Sequence, residues 1–430
     1  MLEVAHIHGG RVLRGVVRAA GAKNAALPIL AAALLTEEVV TLRGVPDLSD
    51  VRFMAEILRH QGAEVAQPAP GTWVIRAAAL THRTPYDLVR KMRASVCLLG
   101  ALVGRLRRAE MAIPGGCVIG PRPIDLHLRG LEALGCAVTS EGGLVRVDAA
   151  AAGGADVDMG GPMGSTVLGT ANLVMAATLT PGVTRILTAA REPEVVDLCA
   201  LLTKMGARIS GQGTSTIVVE GVARLRGCDH VIIPDRIEVG TYLVAGAITG
   251  GDVTVQGAEP AHLEAFLGKL REAGVAVETG PDFIRAHGRP TRPVDIVTAP
   301  HPGFPTDLQA QFMALQLLVP ARSTFTEKVY PARFMHAAEL QRMGADIAVE
   351  GAVATVQGGK PLSGAPVMAS DLRASAALIL AALAAQGETW VQRLYHLDRG
   401  YERFEERLRA LGADVARRPA ADLPKGFAED

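Results

Sequence analysis

Apolar and polar positions along this chain repeat with a long period. Six times an amphipathic stretch of helical spacing runs through Leu and three more residues into Gly, a short side chain and then an alternating apolar run. Leu58-Arg59-His60-Gln61-Gly62-Ala63-Glu64-Val65 is the first copy and Leu408-Arg409-Ala410-Leu411-Gly412-Ala413-Asp414-Val415 the last. The glycines stand at 62, 135, 206, 274, 344 and 412, so they are spaced by 73, 71, 68, 70 and 68 residues. Each reads as the left-handed residue closing a helix, with the following Val or Ile opening a strand.

About 35 to 40 residues before each glycine lies a second helical stretch, rich in small apolar residues: Ala25 to Leu35, Ala94 to Val103, Ser165 to Ala177, Gly240 to Ala247, Asp307 to Leu318 and Ala374 to Ala384. Strands follow several of them, as at Val183-Thr184-Arg185-Ile186-Leu187. The unit is therefore helix, strand, helix, strand with one or two further strands, and six units make an α/β protein. A period near 70 residues is longer than the common solenoid repeats. Two compact groups of three modules suit a chain of 430 residues better. The break is predicted near Pro234-Asp235-Arg236. That gives a first domain over 23–233 and a second made of 1–22 and 234–430, the first twenty or so residues lending strands to the second group.

Composition narrows the function classes. The chain is 49% hydrophobic with only 4% aromatics, which suits closely packed helices of Ala, Val, Leu and Ile. Forty-four basic residues balance 44 acidic ones, so no global field draws it to nucleic acid or an anionic membrane, and any anion site must be local. The longest apolar runs are about half of the roughly 20 residues a bilayer needs. The beginning of the chain has no signal-peptide pattern, so a soluble, cytoplasmic protein is expected. Five cysteines, an odd number with no Cys-x-x-Cys pair, argue against a disulfide framework or structural zinc.

The chemistry concentrates in two kinds of place. Pro114-Gly115-Gly116-Cys117-Val118-Ile119-Gly120-Pro121-Arg122-Pro123-Ile124-Asp125 holds three glycines and three prolines beside a thiol, a guanidinium and a carboxylate, a loop composition that brings backbone close to a ligand. A cation five residues from Cys117 favours its thiolate. The starts of the apolar helices carry Lys23 with Asn24, Arg93 near Ser95, Asp307, and Asp371 near Arg373 and Ser375. Capping accounts for Asp371 or Ser95. It does not account for Lys23, Arg93 or Arg373, because cations in a first turn oppose the helix dipole.

These stretches resemble the UDP-N-acetylglucosamine 1-carboxyvinyltransferases, a family of enolpyruvyl transferases, from about Gly9 to Val415. The carriers are Gly21-Ala22-Lys23-Asn24-Ala25-Ala26-Leu27-Pro28, Met92-Arg93-Ala94-Ser95, Pro114 through His127, Ala190-Arg191-Glu192-Pro193-Glu194 and Pro234-Asp235-Arg236-Ile237-Glu238. Ala299 through Asp307, Asp371-Leu372-Arg373-Ala374-Ser375 and His396-Leu397-Asp398-Arg399-Gly400-Tyr401-Glu402 complete them. The resemblance implies a two-domain inside-out α/β barrel of six βαβαββ-type repeats, three per domain, with the active site in the interdomain cleft. It also implies transfer of enolpyruvate from phosphoenolpyruvate to the 3-hydroxyl of UDP-N-acetylglucosamine with release of phosphate, the first committed step of peptidoglycan synthesis.

By the same resemblance Cys117 is the loop acid, which also bonds phosphoenolpyruvate and is alkylated by fosfomycin, and Asp307 is the base at the sugar hydroxyl. Lys23, Arg122 and Arg399 hold the phosphate, with Arg333 and Arg373 as further cations. Asn24, Arg93, Arg122, Pro123, Ile124, Asp125, Leu126, Gly164, Val329 and Asp371 join them as substrate-binding positions. The implied partners are the two small-molecule substrates, acting on a monomer with no cofactor and no metal. One departure stands out. Where many members have Lys-x-Ser-x-Gly, this chain has Gly160-Gly161-Pro162-Met163-Gly164, and only Gly164 matches. A 5-enolpyruvylshikimate-3-phosphate synthase-like enzyme and a catalytically silent nucleotide-sugar-binding relative are the alternatives; the loop thiol argues against the first, and Cys117, Asp307, Lys23 and Arg399 together argue against the second.

Overall fold

The computed structural model describes residues 3–113 and 123–424. Six four-stranded sheets recur in it with one topology. In the second module Arg83–Thr84 leads through the inner helix Leu98–Leu106 to Arg108–Ala112, then through the outer helix Asp125–Ala133 to the hairpin strands Ala137–Glu141 and Leu144–Asp148. The first two strands pair in parallel, as a helical crossover allows, and the other two complete the sheet antiparallel.

The inner helices are Lys23–Ala32, Leu98–Leu106, Val167–Thr178, Arg236–Thr249, Gln309–Gln316 and Leu372–Ala384. They are buried on nearly every side; Lys23–Ala32 and Leu372–Ala384 are apolar almost all round, and Gln309–Gln316 buries three glutamines as well. Outer helices such as Ser49–His60 bury one stripe, here Val51, Met54, Ala55 and Leu58, and turn their charges outward except Asp50. Strands alternate between a buried and a more open face, as in Val183–Leu187. Helices therefore lie inside and sheets outside, each unit closing around three inner helices that pack on one another.

All six module glycines have a left-handed backbone, with φ between 87° and 103°. At each, the glycine N–H bonds the carbonyl three residues back and the next N–H the carbonyl five back, as in Gly62 to Arg59 and Ala63 to Leu58. This pattern satisfies orphan carbonyls at the helix end, and only glycine takes that conformation without strain.

The chain forms two compact units. One takes in the described residues up to Ala20 and those from Pro234 onward, the other the described residues from Gly21 to Ile233, and each has its own apolar core. Sequence-distant strands complete the sheets. Arg14–Arg18 pairs in parallel with Asp252–Gln256, and Glu3–His8 lies between Glu388–Gln392 and Asp414–Pro419. Cys228–Val231 does the same for Val40–Arg43 in the other unit.

Several helix starts differ from the apolar pattern. Arg236–Thr249 begins before Gly240 because Asp235 caps it, its Oδ1 accepting from the N–H groups of Ile237 and Glu238 at 2.8 and 3.1 Å. The polar Glu238 hid that turn in the sequence, yet it is buried against Arg407 at 2.8 Å. Arg93–Cys97 and Thr306–Leu308 are tighter 3-10 turns leading into their helices. Ser95 is not a cap: its hydroxyl donates to the carbonyls of Val89 and Met92 at 3.2 and 2.7 Å.

Candidate active site

In the unit built from Pro234 onward, Asp307, Arg333, Asp371 and Arg373 form one charged cluster. Asp307 sits in the turn before its inner helix without capping it. Its Oδ1 accepts from Arg333 Nη1 at 2.7 Å, and its Oδ2 from Arg373 Nη2 and Nε at 2.9 and 3.2 Å. Both guanidinium side chains are buried, while the Asp307 side chain keeps 23% exposure. Burial alone would push the Asp307 carboxyl up. The charges of Arg373 and Arg333 and their hydrogen bonds outweigh it, so the group is held well below the usual carboxylate range.

The cluster is fixed from behind. Asp371 caps Leu372–Ala384, its Oδ1 accepting from the N–H groups of Arg373 and Ala374 at 2.9 and 3.1 Å, which sets where Arg373 leaves the helix. The Arg373 guanidinium lies 5.3 Å from the centre of the Tyr401 ring. The Tyr401 hydroxyl is 2.9 Å from that of Thr241 and accepts from Gln311 Nε2 at 3.2 Å. Glu327, wholly buried, accepts from Thr306, Thr298 and the N–H of Tyr330, and so holds the segment that carries half-buried Val329. Arg399 is half-buried at the end of the 3-10 stretch Leu394–Arg399.

The other unit arranges its marked residues differently. Lys23, in the first turn of its helix, pairs with Asp50 at 2.8 Å, both side chains being almost wholly buried. Asn24 beside it is exposed. Arg93 Nη2 donates to the Pro123 carbonyl at 3.0 Å. Ile124 is buried, and exposed Asp125 opens the helix Asp125–Ala133, where its charge suits the dipole. Cys117 and Arg122 lie outside the described residues.

Asn172 ties these pieces together. Its Nδ2 donates to the Val96 carbonyl at 2.8 Å and to His127 Nδ1 at 2.7 Å, and its Oδ1 accepts from the Gly100 N–H at 2.8 Å. One side chain thereby locks the Arg93 turn, the following helix and the helix starting at Asp125. His127 is kept neutral, its imidazole pulled down to about 3 by burial and the Arg93 charge.

The departing segment is a short hairpin, Gly160–Gly161 pairing with Gly164–Ser165. The Gly160 N–H is bonded to Asp158 Oδ1 at 2.9 Å, so that amide is already used. Gly164 has φ +93°, which favours glycine, and Leu126 packs against Gly161. Among the described residues, the three-residue His, Cys and carboxylate group with metal-compatible spacing is His6, His8 and Glu388, none of them a marked residue. No described helix is long and apolar enough to cross a membrane.

Sequence reasoning gave no role to Asp50, Glu327, Asn172, Thr241 or Gln311. Asn172 had a readable signal, a lone amide in an otherwise apolar helix. Asp50 had none, since an acid in the first turn of an outer helix is ordinary.

Comparison with known proteins places this arrangement. Residues 7–408 match the family model for EPSP synthase (3-phosphoshikimate 1-carboxyvinyltransferase). The UDP-N-acetylglucosamine 1-carboxyvinyltransferase of Magnetococcus marinus is 54% identical over 416 residues, covering 96% of this chain and 98% of the relative. That of Akkermansia muciniphila is 51% identical over 425 residues, covering 98% and 100%. The crystal structure of the enolpyruvyl transferase NikO from Streptomyces tendae is 30% identical with a TM-score of 0.87, covering 97% of this chain and 99% of that one. An EPSP synthase from Acinetobacter baumannii, 16% identical with a TM-score of 0.72 over 97% of this chain and all of the other, shares the fold. The chain is thus an enzyme, a transferase that belongs to the EPSP synthase family and, within it, to the UDP-N-acetylglucosamine 1-carboxyvinyltransferases.

Proposed function

We propose that this protein transfers the enolpyruvyl group of phosphoenolpyruvate to the 3-hydroxyl of UDP-N-acetylglucosamine, releasing phosphate and committing the sugar to peptidoglycan. The observation that carries this reading is the Asp307 carboxylate held ionised between Arg333 and Arg373 at a partly open position. In the addition step a proton goes to the methylene carbon and the sugar oxygen bonds the neighbouring carbon. In the elimination step the new methyl group loses a proton and phosphate departs.

Two guanidiniums keep Asp307 ionised, and so a hydrogen-bond acceptor, but make it a weak base. It therefore orients the sugar hydroxyl and takes its proton only as the carbon–oxygen bond forms, when that proton becomes acidic. Cys117 is the acid for the methylene carbon. Lys23, Arg122 and Arg399 receive the phosphate, and Arg333 and Arg373 balance the remaining negative charge. Asn24, Arg93, Pro123, Ile124, Asp125, Leu126, Gly164 and Val329 position the nucleotide sugar, and Asp371 acts by fixing Arg373. The protein acts as a cytoplasmic monomer.

Incubation with both substrates should give an enolpyruvyl ether of the nucleotide sugar, identified by mass spectrometry and proton NMR. Shikimate 3-phosphate offered instead should give none; turnover of that acceptor in preference would reverse the reading. Fosfomycin should add to Cys117 in an intact-mass spectrum, most readily with nucleotide sugar present.

A further inference from the structure

The outer face of one sheet carries a cluster for which the transfer reaction has no use. Strand Glu3–His8 is antiparallel to Glu388–Gln392 on one side and to Asp414–Pro419 on the other. His6 and His8 are two residues apart, so their side chains stand on the same face. The register sets Trp390 opposite His6 and Glu388 opposite His8. His6 Nε2 lies 3.0 Å from one oxygen of Glu388, and His8 Nδ1 lies 3.8 Å from the other. All three ligand atoms lie within 4.8 Å of one another.

The parts differ in a useful way. The His6 ring stacks on Trp390 with centroids 3.9 Å apart and 17° between the planes, so one imidazole is already immobilised. The His8 and Glu388 side chains are 45% and 53% exposed, so a hydrated ion can reach them. Asp414, opposite His8 on the far side, is engaged by Arg11 Nη2 at 2.9 Å, which leaves Glu388 as the carboxylate of the group.

We propose that His6, His8 and Glu388 bind one divalent transition-metal cation of the Zn²⁺ class, with water in the remaining positions. Two imidazole nitrogens and one carboxylate oxygen suit Zn²⁺ or Ni²⁺ and not the oxygen-preferring Mg²⁺ or Ca²⁺. Donors on one tetrahedral zinc stand roughly 3.3 Å apart, given bonds of about 2.0–2.2 Å. The His6 to Glu388 separation is already close to that, and a small turn of exposed His8 supplies the rest. Binding replaces the His6 to Glu388 hydrogen bond by a bond from each residue to the metal. Because the site joins the first described strand to one near the other end of the chain, metal binding stabilises the closure of that sheet.

Zn²⁺ titrated by calorimetry into metal-stripped protein tests the site, with Mg²⁺ as control. Quenching by Ni²⁺ is followed in a Trp73→Phe background, which leaves Trp390 as the sole tryptophan. One equivalent of Zn²⁺ should bind, at least tenfold more weakly in His8→Ala and in Glu388→Gln, with Trp390 quenching lost in parallel. Both substitutions are at half-exposed positions, and circular dichroism verifies the fold. Zn²⁺ affinity unchanged in His8→Ala, binding abolished only by blocking the cysteines, or no saturable binding below about 100 μM would each overturn the proposal.

Discussion

The two units repeat one module three times each, yet they open their inner helices differently. The unit from Gly21 to Ile233 places Lys23, Arg93 and Thr166 at those starts, and the other places Asp235, Asp307 and Asp371. Asp235 and Asp371 accept the first N–H groups of their helices, and Thr166 accepts from the Gly169 N–H, so these three need no ligand to explain them. Lys23 and Arg93 oppose the helix dipole, and Asp307 bonds two guanidiniums in place of the helix. A shared module thus sets ordinary capping apart: Lys23, Arg93 and Asp307, which break the capping pattern, are among the residues proposed to serve the reaction.

Substitutions sharpen that contrast. Arg373→Ala removes half of the Asp307 clamp from a buried position and is expected to cost about 3–5 kcal/mol in urea unfolding, with loss of turnover. Lys23→Ala takes the ammonium away from the buried Asp50 carboxylate and should cost about 3 kcal/mol. Asp371→Asn preserves a cap and should change stability by less than about 0.5 kcal/mol, whereas Asp371→Ala should cost about 1 kcal/mol. An Asp371→Asn loss as large as that of Arg373→Ala would erase the distinction between cap and clamp.

Acid provides the mildest probe, because each unit buries one neutral imidazole beside a site arginine. Burial and Arg93 pull His127 down to about 3; for His336, burial and Arg333 win over the opposing Asp371 charge and bring it to about 4. The unfolded chain takes up protons at these rings below about pH 6.5, and the folded chain does so only near those lower values. Their contribution is therefore fully present above pH 6.5 and is lost as the pH falls toward 4 and then 3. His127→Gln should flatten part of that slope in unfolding measured from pH 7 to pH 4.

Much of the fold was legible because its signals are local. The six glycines each need a left-handed backbone, and the two helix types differ in whether their apolar residues form a stripe or a full cylinder. Helix starts were less legible. Glu238 reads as a surface residue until Arg407, far along the chain, is seen to pair with it. The site showed the same division. Asp307, Arg333 and Arg373 were marked by the resemblance, but their mutual contacts, and those of Lys23 with Asp50, join residues whose separation in sequence carries no periodicity.

The most direct measurement is phosphate release from phosphoenolpyruvate by wild type, Asp307→Asn and Cys117→Ala, with and without UDP-N-acetylglucosamine. The account predicts release that requires the nucleotide sugar and falls at least about 100-fold in both variants. Release that ignores the nucleotide sugar, or an Asp307→Asn enzyme as fast as wild type, would contradict it.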